Sequence, residues 1–411
     1  MQLTHTQQKF LFLLSITVLY LALIAWLDGL RGPYWWDEET FWDTSLSFSD
    51  RLLPSLSDLR DYKELNTPLP FILFGLLEYL FGQGIWAGRL FNLVLSIAMV
   101  FIIGWPTKDK GGRAIVCLIG LFLCPYYLWL SGRLYTEMLA CFWVLLGTMG
   151  YVRNRSGWSC LAFILAIATR QYMVAFPAAI ATYELIRATS RVRQTNRIDW
   201  PAQRHWILPL VASCSLFFWF YLFQGLAPEM ALEIRSAPDV QQTIWGVELG
   251  GAIHYLSFIG LYIVIPEFIL FNPRAHLRAL SHQWDQQKYR VGILALGLLL
   301  FMLVFPPQEL ASGNVKKLAE MLPYSVLSWG FYYILSLLTC VRFARPNLTG
   351  LLILFNAVIM VKAHPWDRYV LPMVVVFWYL KSIDQVDHFL LFWGQKGSDP
   401  APQNPSFTEP I

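Results

Sequence analysis

Charge is the scarcest ingredient of this chain. Of its 411 residues only 14% are Asp, Glu, Lys or Arg, against 56% hydrophobic and 16% aromatic. Soluble domains carry about 25% charged residues, so there is too little charge here to cover a water-facing surface, and a set of soluble catalytic domains is excluded. The six cysteines, Cys117, Cys124, Cys141, Cys160, Cys214 and Cys340, lack metal-ligand or redox spacing and all fall in apolar segments. They read as small packing residues. No basic stretch is interleaved with stacking aromatics and the net charge is only +4, which argues against nucleic acid as a partner. No small-residue cleavage site follows the first apolar run, 10–27, so that run reads as a retained first helix. No internal repeat is visible.

What is present in quantity is apolar sequence, cut into blocks of about 15–22 residues, the length that crosses about 30 Å of hydrocarbon. Twelve candidate spans fall at roughly 10–30, 87–105, 114–131, 134–152, 158–170, 172–187, 206–225, 252–271, 291–306, 322–341, 347–361 and 369–383. A further segment, 68–82, is short and suits an interfacial or re-entrant helix. With that segment not crossing and the N-terminus inside, the loops 107–113, 153–157, 187–204, 272–290 and 342–347 all lie inside, and each is rich in Lys and Arg, as the positive-inside rule requires. The expectation is an all-α polytopic membrane protein of about twelve transmembrane helices over 1–383. A first outer-face loop, 31–86, carries short interfacial helices. The tail 384–411 is inside, and its Pro, Gly and Ser content beyond Gly394 predicts disorder.

The densest polar cluster lies in that outer loop: Tyr34-Trp35-Trp36-Asp37-Glu38-Glu39-Thr40. Carboxylates directly after a membrane span are costly unless exposed, paired or used. Cations gather on the same expected face. Arg89 opens the second span, and Arg133 precedes Glu137 by one turn. Arg170 and Gln171 interrupt an apolar stretch, and Lys362, His364, Asp367, Arg368 and Tyr369 form a late outer loop. Guanidinium groups suit phosphate recognition, and a carboxylate suits removal of a hydroxyl proton. The expected phosphate ligands are therefore Arg89, Arg133, Arg170 and Arg368. The expected substrate contacts are Glu39, Glu137, Gln171, Lys362, His364 and Tyr369. Asp37, Glu38 and Glu137 have the chemistry to hold a divalent ion, though no spacing demands a metal or any other cofactor.

In order and topology these residues resemble the GT-C superfamily of membrane glycosyltransferases, across about residues 10–383. The resemblance rests on Asp37-Glu38 in the first outer loop, on Asn66-Thr67-Pro68-Leu69-Pro70 followed by Phe81-Gly82 and Ala87-Gly88-Arg89-Leu90, on Ala168-Thr169-Arg170-Gln171, and on Arg368-Tyr369-Val370-Leu371-Pro372. It implies a sugar carried on a polyprenyl phosphate, chemistry at the extracytoplasmic face, and inversion by direct attack of an acceptor hydroxyl. Carried over by position, Asp37 is the base and Glu38 orients it or the acceptor. Relatives often have Lys or His before paired prolines, where this chain has Asn66-Thr67. That leaves the phosphate to Arg170 or Arg368. The large soluble domains of the protein-modifying relatives are absent, which favours a lipid or glycan acceptor, and the compact chain leans toward a bacterial inner membrane. The competing reading is a transporter or flippase of a lipid-linked or anionic substrate.

Overall fold

Apolar runs become helices here, and prolines and buried arginines decide where they stop. The computed structural model describes residues 4–107, 110–195, 200–235, 239–242, 245–271, 289, 291–307, 311–344 and 347–387. Arg197, Arg274, Arg278, Lys288 and Arg290 of the expected inside loops lie outside the described residues, as does the tail from 388 onward. The described elements are helical, with one isolated bridge between Ser312 and Trp366. The first half contains α1 (His5–Trp26), α2 (Glu38–Leu46), α3 (Leu56–Arg60), α4 (Leu69–Phe81), α5 (Ile85–Gly104), α6 (Gly111–Phe122), α7 (Pro125–Ser131), α8 (Thr136–Val152), α9 (Ser156–Thr169) and α10 (Ala175–Thr195). The second half contains α11 (Trp200–Phe223), α12 (Glu229–Ile234), α13 (Asp239–Gln242), α14 (Gly250–Leu270), α15 (Val291–Val304), α16 (Asn314–Glu320), α17 (Ser325–Phe343), α18 (Leu348–Ile359) and α19 (Leu371–Ser382).

Helix length supports fewer crossings than the expected twelve or so. Helix falls within every one of the twelve expected segments, but among the described residues five helices are long and apolar enough to cross: α1, α5, Arg204–Phe223 of α11, α14 and α17. The number rises to six if α6 and α7 form one broken span. The remaining apolar helices have 10–17 residues; α9, with 14, reaches about 21 Å at about 1.5 Å per residue, short of the hydrocarbon thickness. The segment expected as one span over 114–131 is bent by 82° between α6 and α7. Pro125 has no N–H to continue the helix and forces Cys124 into an extended conformation (φ −81°, ψ 107°). The expected loop 31–86 does carry short helices, α2, α3 and α4. Of these α4 is opened by Pro68-Leu69-Pro70 and closed by Gly82 in the left-handed region.

Packing separates an inner set from an outer set. Every residue of α19 from Leu371 to Leu380 is buried, so this helix, apolar on all sides, forms the axis against which α5, α6 and α8 pack. By contrast the spanning windows of α1 and α11 are only 22% buried, and Phe10, Leu21, Phe217 and Tyr221 project outward. An apolar outward face of this extent is what lipid, not water, would cover. Small residues permit the closest crossings. A Cβ at Gly260 of α14 would stand 2.3 Å from the Leu335 carbonyl oxygen of α17, and one at Gly120 of α6 would stand 2.3 Å from the Trp378 ring.

Candidate active site

The outer loop begins under strain. Asp28, Gly29 and Leu30 follow α1 in succession with φ of 51°, 62° and 66°, a left-handed turn that costs about 1–2 kcal/mol for each non-glycine residue. Its carbonyls are collected by α5. Trp86 Nε1 donates to the Gly29 oxygen, and Arg89 donates through Nη1 to the Leu30 and Gly32 oxygens and through Nη2 to the Pro33 oxygen. The other two Arg89 N–H groups grip Glu38 in a bidentate pair, Nε to Oε1 and Nη2 to Oε2, each at 2.9 Å. Glu38 is fully buried and also accepts from the Trp35 and Leu134 backbone N–H groups and from Arg133 Nη1.

This arrangement corrects three expectations. Arg89, expected as a phosphate ligand, has all five N–H groups engaged inside the protein. Glu38, expected beside the chemistry, is the buried carboxylate that Arg89 locks. Arg133 lies over the rings of Trp35 and Trp129, at 5.1 and 5.4 Å, and points Nη1 at Glu38. None of the three lines the neighbouring cavity. Their effect is on position, because a locked Glu38 holds the residue before it, Asp37, at the head of α2 with a face on the cavity.

That cavity has a volume of about 380 Å³, within the range of small-molecule sites. Of the expected residues, Asp37, Arg170, Gln171, Lys362, His364, Arg368 and Tyr369 line it. Their convergence follows from two helix breaks. At the first, α9 stops at Thr169, and Arg170 is extended (φ −153°, ψ 126°) before a short 3₁₀ turn leads into α10. At the second, the 3₁₀ turn Asp367–Val370 leads into α19. Glu137, at the start of α8, is fully buried and stands behind both breaks. Its Oε1 accepts from Arg170 Nη1 at 2.9 Å and lies 3.2 Å from Arg368 Nε. The expectation that Glu137 touches substrate is therefore corrected: one carboxylate oxygen holds two guanidinium groups side by side. Tyr369 flanks both arginines, with ring centroids 5.3 Å from Arg170 and 5.5 Å from Arg368. Glu39 is exposed and is not among the residues lining the cavity.

Some cationic N–H groups remain without an acceptor. Arg170 Nε and Arg368 Nη1 are buried and have no hydrogen-bond partner among the described residues, and Arg368 Nε has only its ion-pair contact with Glu137. Leaving such a group unsatisfied costs about 1–3 kcal/mol. Arg368 Nη2 donates to Asp37 Oδ2 at 2.9 Å. On its other face the Arg368 guanidinium lies 3.6 Å from the centroid of Trp366, which packs against Trp36. Trp36 is itself left-handed (φ 51°) and 61% exposed.

The Arg368 turn is anchored by its neighbour. Asp367 is fully buried and accepts from the hydroxyls of Tyr126 and Tyr262 and from the backbone N–H groups of Asn314 and Val315. Burial pushes its carboxyl above the ordinary value, against those four hydrogen bonds. A Cβ on Gly313 (φ +109°) would stand 1.8 Å from Asp367 Oδ1. Gly313→Ala is thus expected to destabilise the protein by about 1–3 kcal/mol and to loosen the Arg368 turn. Thermal melting in detergent would register the first effect; an unchanged melting temperature would count against the anchor. Beside this turn His364 Nε2 pairs with Ser312 Oγ at 2.9 Å. Burial, with Arg368 and Lys316 nearby, lowers its affinity for a proton below the ordinary 6.5, so the ring is neutral at neutral pH. Lys362 Nζ donates to the Gly246 oxygen.

Sequence reasoning missed Glu64, Arg235, Asn66, Tyr172 and Trp366 as wall residues. Arg235 ion-pairs with Glu64 and donates to Thr40 Oγ1, while Tyr172 Oη accepts from Arg170 Nη1 at 2.8 Å. The signals available were local: Asn66 lies in the Asn66-Thr67-Pro68 stretch already noted, Trp366 is near Arg368 and Tyr172 is beside Gln171. Among the described residues no group of three His, Cys, Asp or Glu side chains comes together as a metal site. Compared with known proteins, the chain matches no family model, no curated protein and no solved structure.

Proposed function

We propose that this is an inverting glycosyltransferase of the membrane that moves a sugar from a polyprenyl-phosphate donor to a lipid or glycan hydroxyl, with its site at the extracytoplasmic face. One observation carries the reading: two buried guanidinium groups with unpartnered N–H donors share a cavity wall with the carboxylate of Asp37. Guanidinium donors suit a phosphate leaving group, and they are most effective where water is excluded. The wall also includes Leu216 and Phe220 of α11, a peripheral helix apolar enough to cross the membrane, which suits a donor that is itself a lipid.

In the proposed reaction an acceptor oxygen bonds to the anomeric carbon as that carbon's bond to the phosphate oxygen breaks. The electron pair of the broken bond leaves with the phosphate, toward Arg170 and Arg368. The acceptor proton passes to Asp37. The direct test is to incubate the purified protein with a panel of polyprenyl-phosphate sugars and acceptors and to measure release of the prenyl phosphate. Release is expected with at least one donor. Arg368→Ala is expected to lower donor affinity by about tenfold or more, the scale of a lost charge-assisted hydrogen bond. Binding with no release under any acceptor would move the reading to the transporter class.

A further inference from the structure

Asp37 meets the cavity already engaged, and its partner is one of the groups assigned to phosphate. The two members of that pair are not equally free. Arg368 has a side chain 4% exposed, against 30% for Asp37. Its guanidinium is stacked on Trp366 and flanked by Tyr135 and Tyr369, and its backbone turn is held by Asp367. Asp37 has no such support. It heads α2 without a side-chain capping bond, and its carboxylate has Arg368 as its one hydrogen-bonded partner among the described residues. An exchange of partners would therefore move the aspartate and leave the arginine where it is.

We infer that Asp37 is the resting occupant of the anion site, and that a phosphate arriving at Arg368 displaces it from Nη2. The inference rests on the proposed function, because it takes the arriving anion to be the donor's phosphate. Spare donor capacity lies beside the pair: Arg368 Nη1 and Arg170 Nε are without a hydrogen-bond partner among the described residues, while Arg368 Nε stays ion-paired with Glu137, so an arriving phosphate competes with Asp37 for Nη2 alone. A carboxylate tied to a guanidinium is a weaker proton acceptor than one released from it. The base is then released by the donor that it is to serve, and an acceptor hydroxyl arriving first meets Asp37 still bound. No covalent bond changes in this step. One ion pair replaces another, and the competition lowers the apparent affinity for the anion by the fraction of protein in the locked state.

Removing Asp37 should therefore tighten anion binding, the opposite of what removing a binding residue does. Binding of farnesyl monophosphate, inorganic phosphate and farnesol to the full-length protein in detergent would be measured by calorimetry for the wild type, Asp37→Ala and Asp37→Asn. The expected result is about three- to tenfold tighter binding of farnesyl monophosphate by Asp37→Ala, a smaller gain for Asp37→Asn, and no difference for farnesol. The same gain with inorganic phosphate assigns the exchange to the phosphate group itself. A gain confined to the farnesyl ester assigns it to the lipid-borne headgroup. Equal or weaker farnesyl monophosphate binding by both variants overturns the exchange while leaving the pocket's anion reading in place. Absence of phosphate binding by all three proteins overturns that reading and the exchange with it. Unliganded melting temperatures serve as the folding control, and if Asp37→Ala melts early, Asp37→Asn decides.

Discussion

Arg89→Ala is expected to unfold the assembly around the 31–86 loop, lowering stability by about 3–5 kcal/mol, the cost of leaving one partner of a buried pair alone. The side chain is 3% exposed and Glu38 is 0% exposed, so water cannot take over the lost contacts. What remains on Glu38 is two backbone N–H groups and Arg133 Nη1 at 3.3 Å, which replaces neither bidentate bond. The left-handed turn at Asp28–Leu30 loses three of the carbonyl contacts that hold it and the Gly32-Pro33 stretch after it. Expression yield and melting temperature in detergent check this. Arg89→Lys should fall between wild type and Ala, because a point charge cannot make the paired contact. Combining Arg89→Ala with Glu38→Gln should recover part of the loss by removing the uncompensated charge. A full-stability Arg89→Ala protein would mean that the lock is incidental.

The second large effect falls on turnover and leaves the fold alone. Asp37→Asn is expected to reduce sugar transfer by about 10²–10⁴-fold, the usual contribution of a positioned general base. Asn keeps the shape at the head of α2 and removes the proton acceptor. Since the Asp37 side chain makes no capping bond and is partly exposed, the melting temperature should stay near that of the wild type. Normal turnover by this variant would remove Asp37 from the chemistry. Glu38→Gln differs in kind: it should damage stability and activity together. The two adjacent acids are thereby separable by experiment although they are chemically alike.

That separation shows how far the chain could be read. The helical character and the gathering of Asp37, Arg170, Lys362, His364 and Arg368 were legible because apolar runs and polar interruptions are local signals. The fates of Asp37 and Glu38 were not. Successive helical residues point about 100° apart, so one step along α2 turns the carboxylate from the cavity to the buried face of α5. Nothing in the pair's composition says which is which. Arg89 and Arg368 present the same difficulty, since a structural lock and a phosphate ligand call for the same guanidinium and differ only in how many N–H groups find partners nearby. The number of full crossings is not legible from hydropathy for a related reason. Hydropathy reports that a segment is apolar, while Pro125 and Arg170 decide how long its helix runs. Glu64 and Arg235 belong to polar loops whose residues look solvated until the fold brings them to the cavity wall.

The Asp37–Arg368 pair joins residues 331 positions apart, and this gives the site a schedule. At about 5–20 residues per second, roughly 17–66 s of synthesis separate the aspartate from the arginine that engages it. Arg89 follows Glu38 by 51 positions, roughly 3–10 s at the same rate. The nascent chain thus secures the shape of the 31–86 loop before its later described spans are made, with α1 and α5 already in place. The electrostatic partner of Asp37 arrives with α19, the last of the described helices. A ribosome-bound intermediate would display a formed loop with an unrestrained carboxylate, and the site would acquire its resting state only once the axial helix has been inserted.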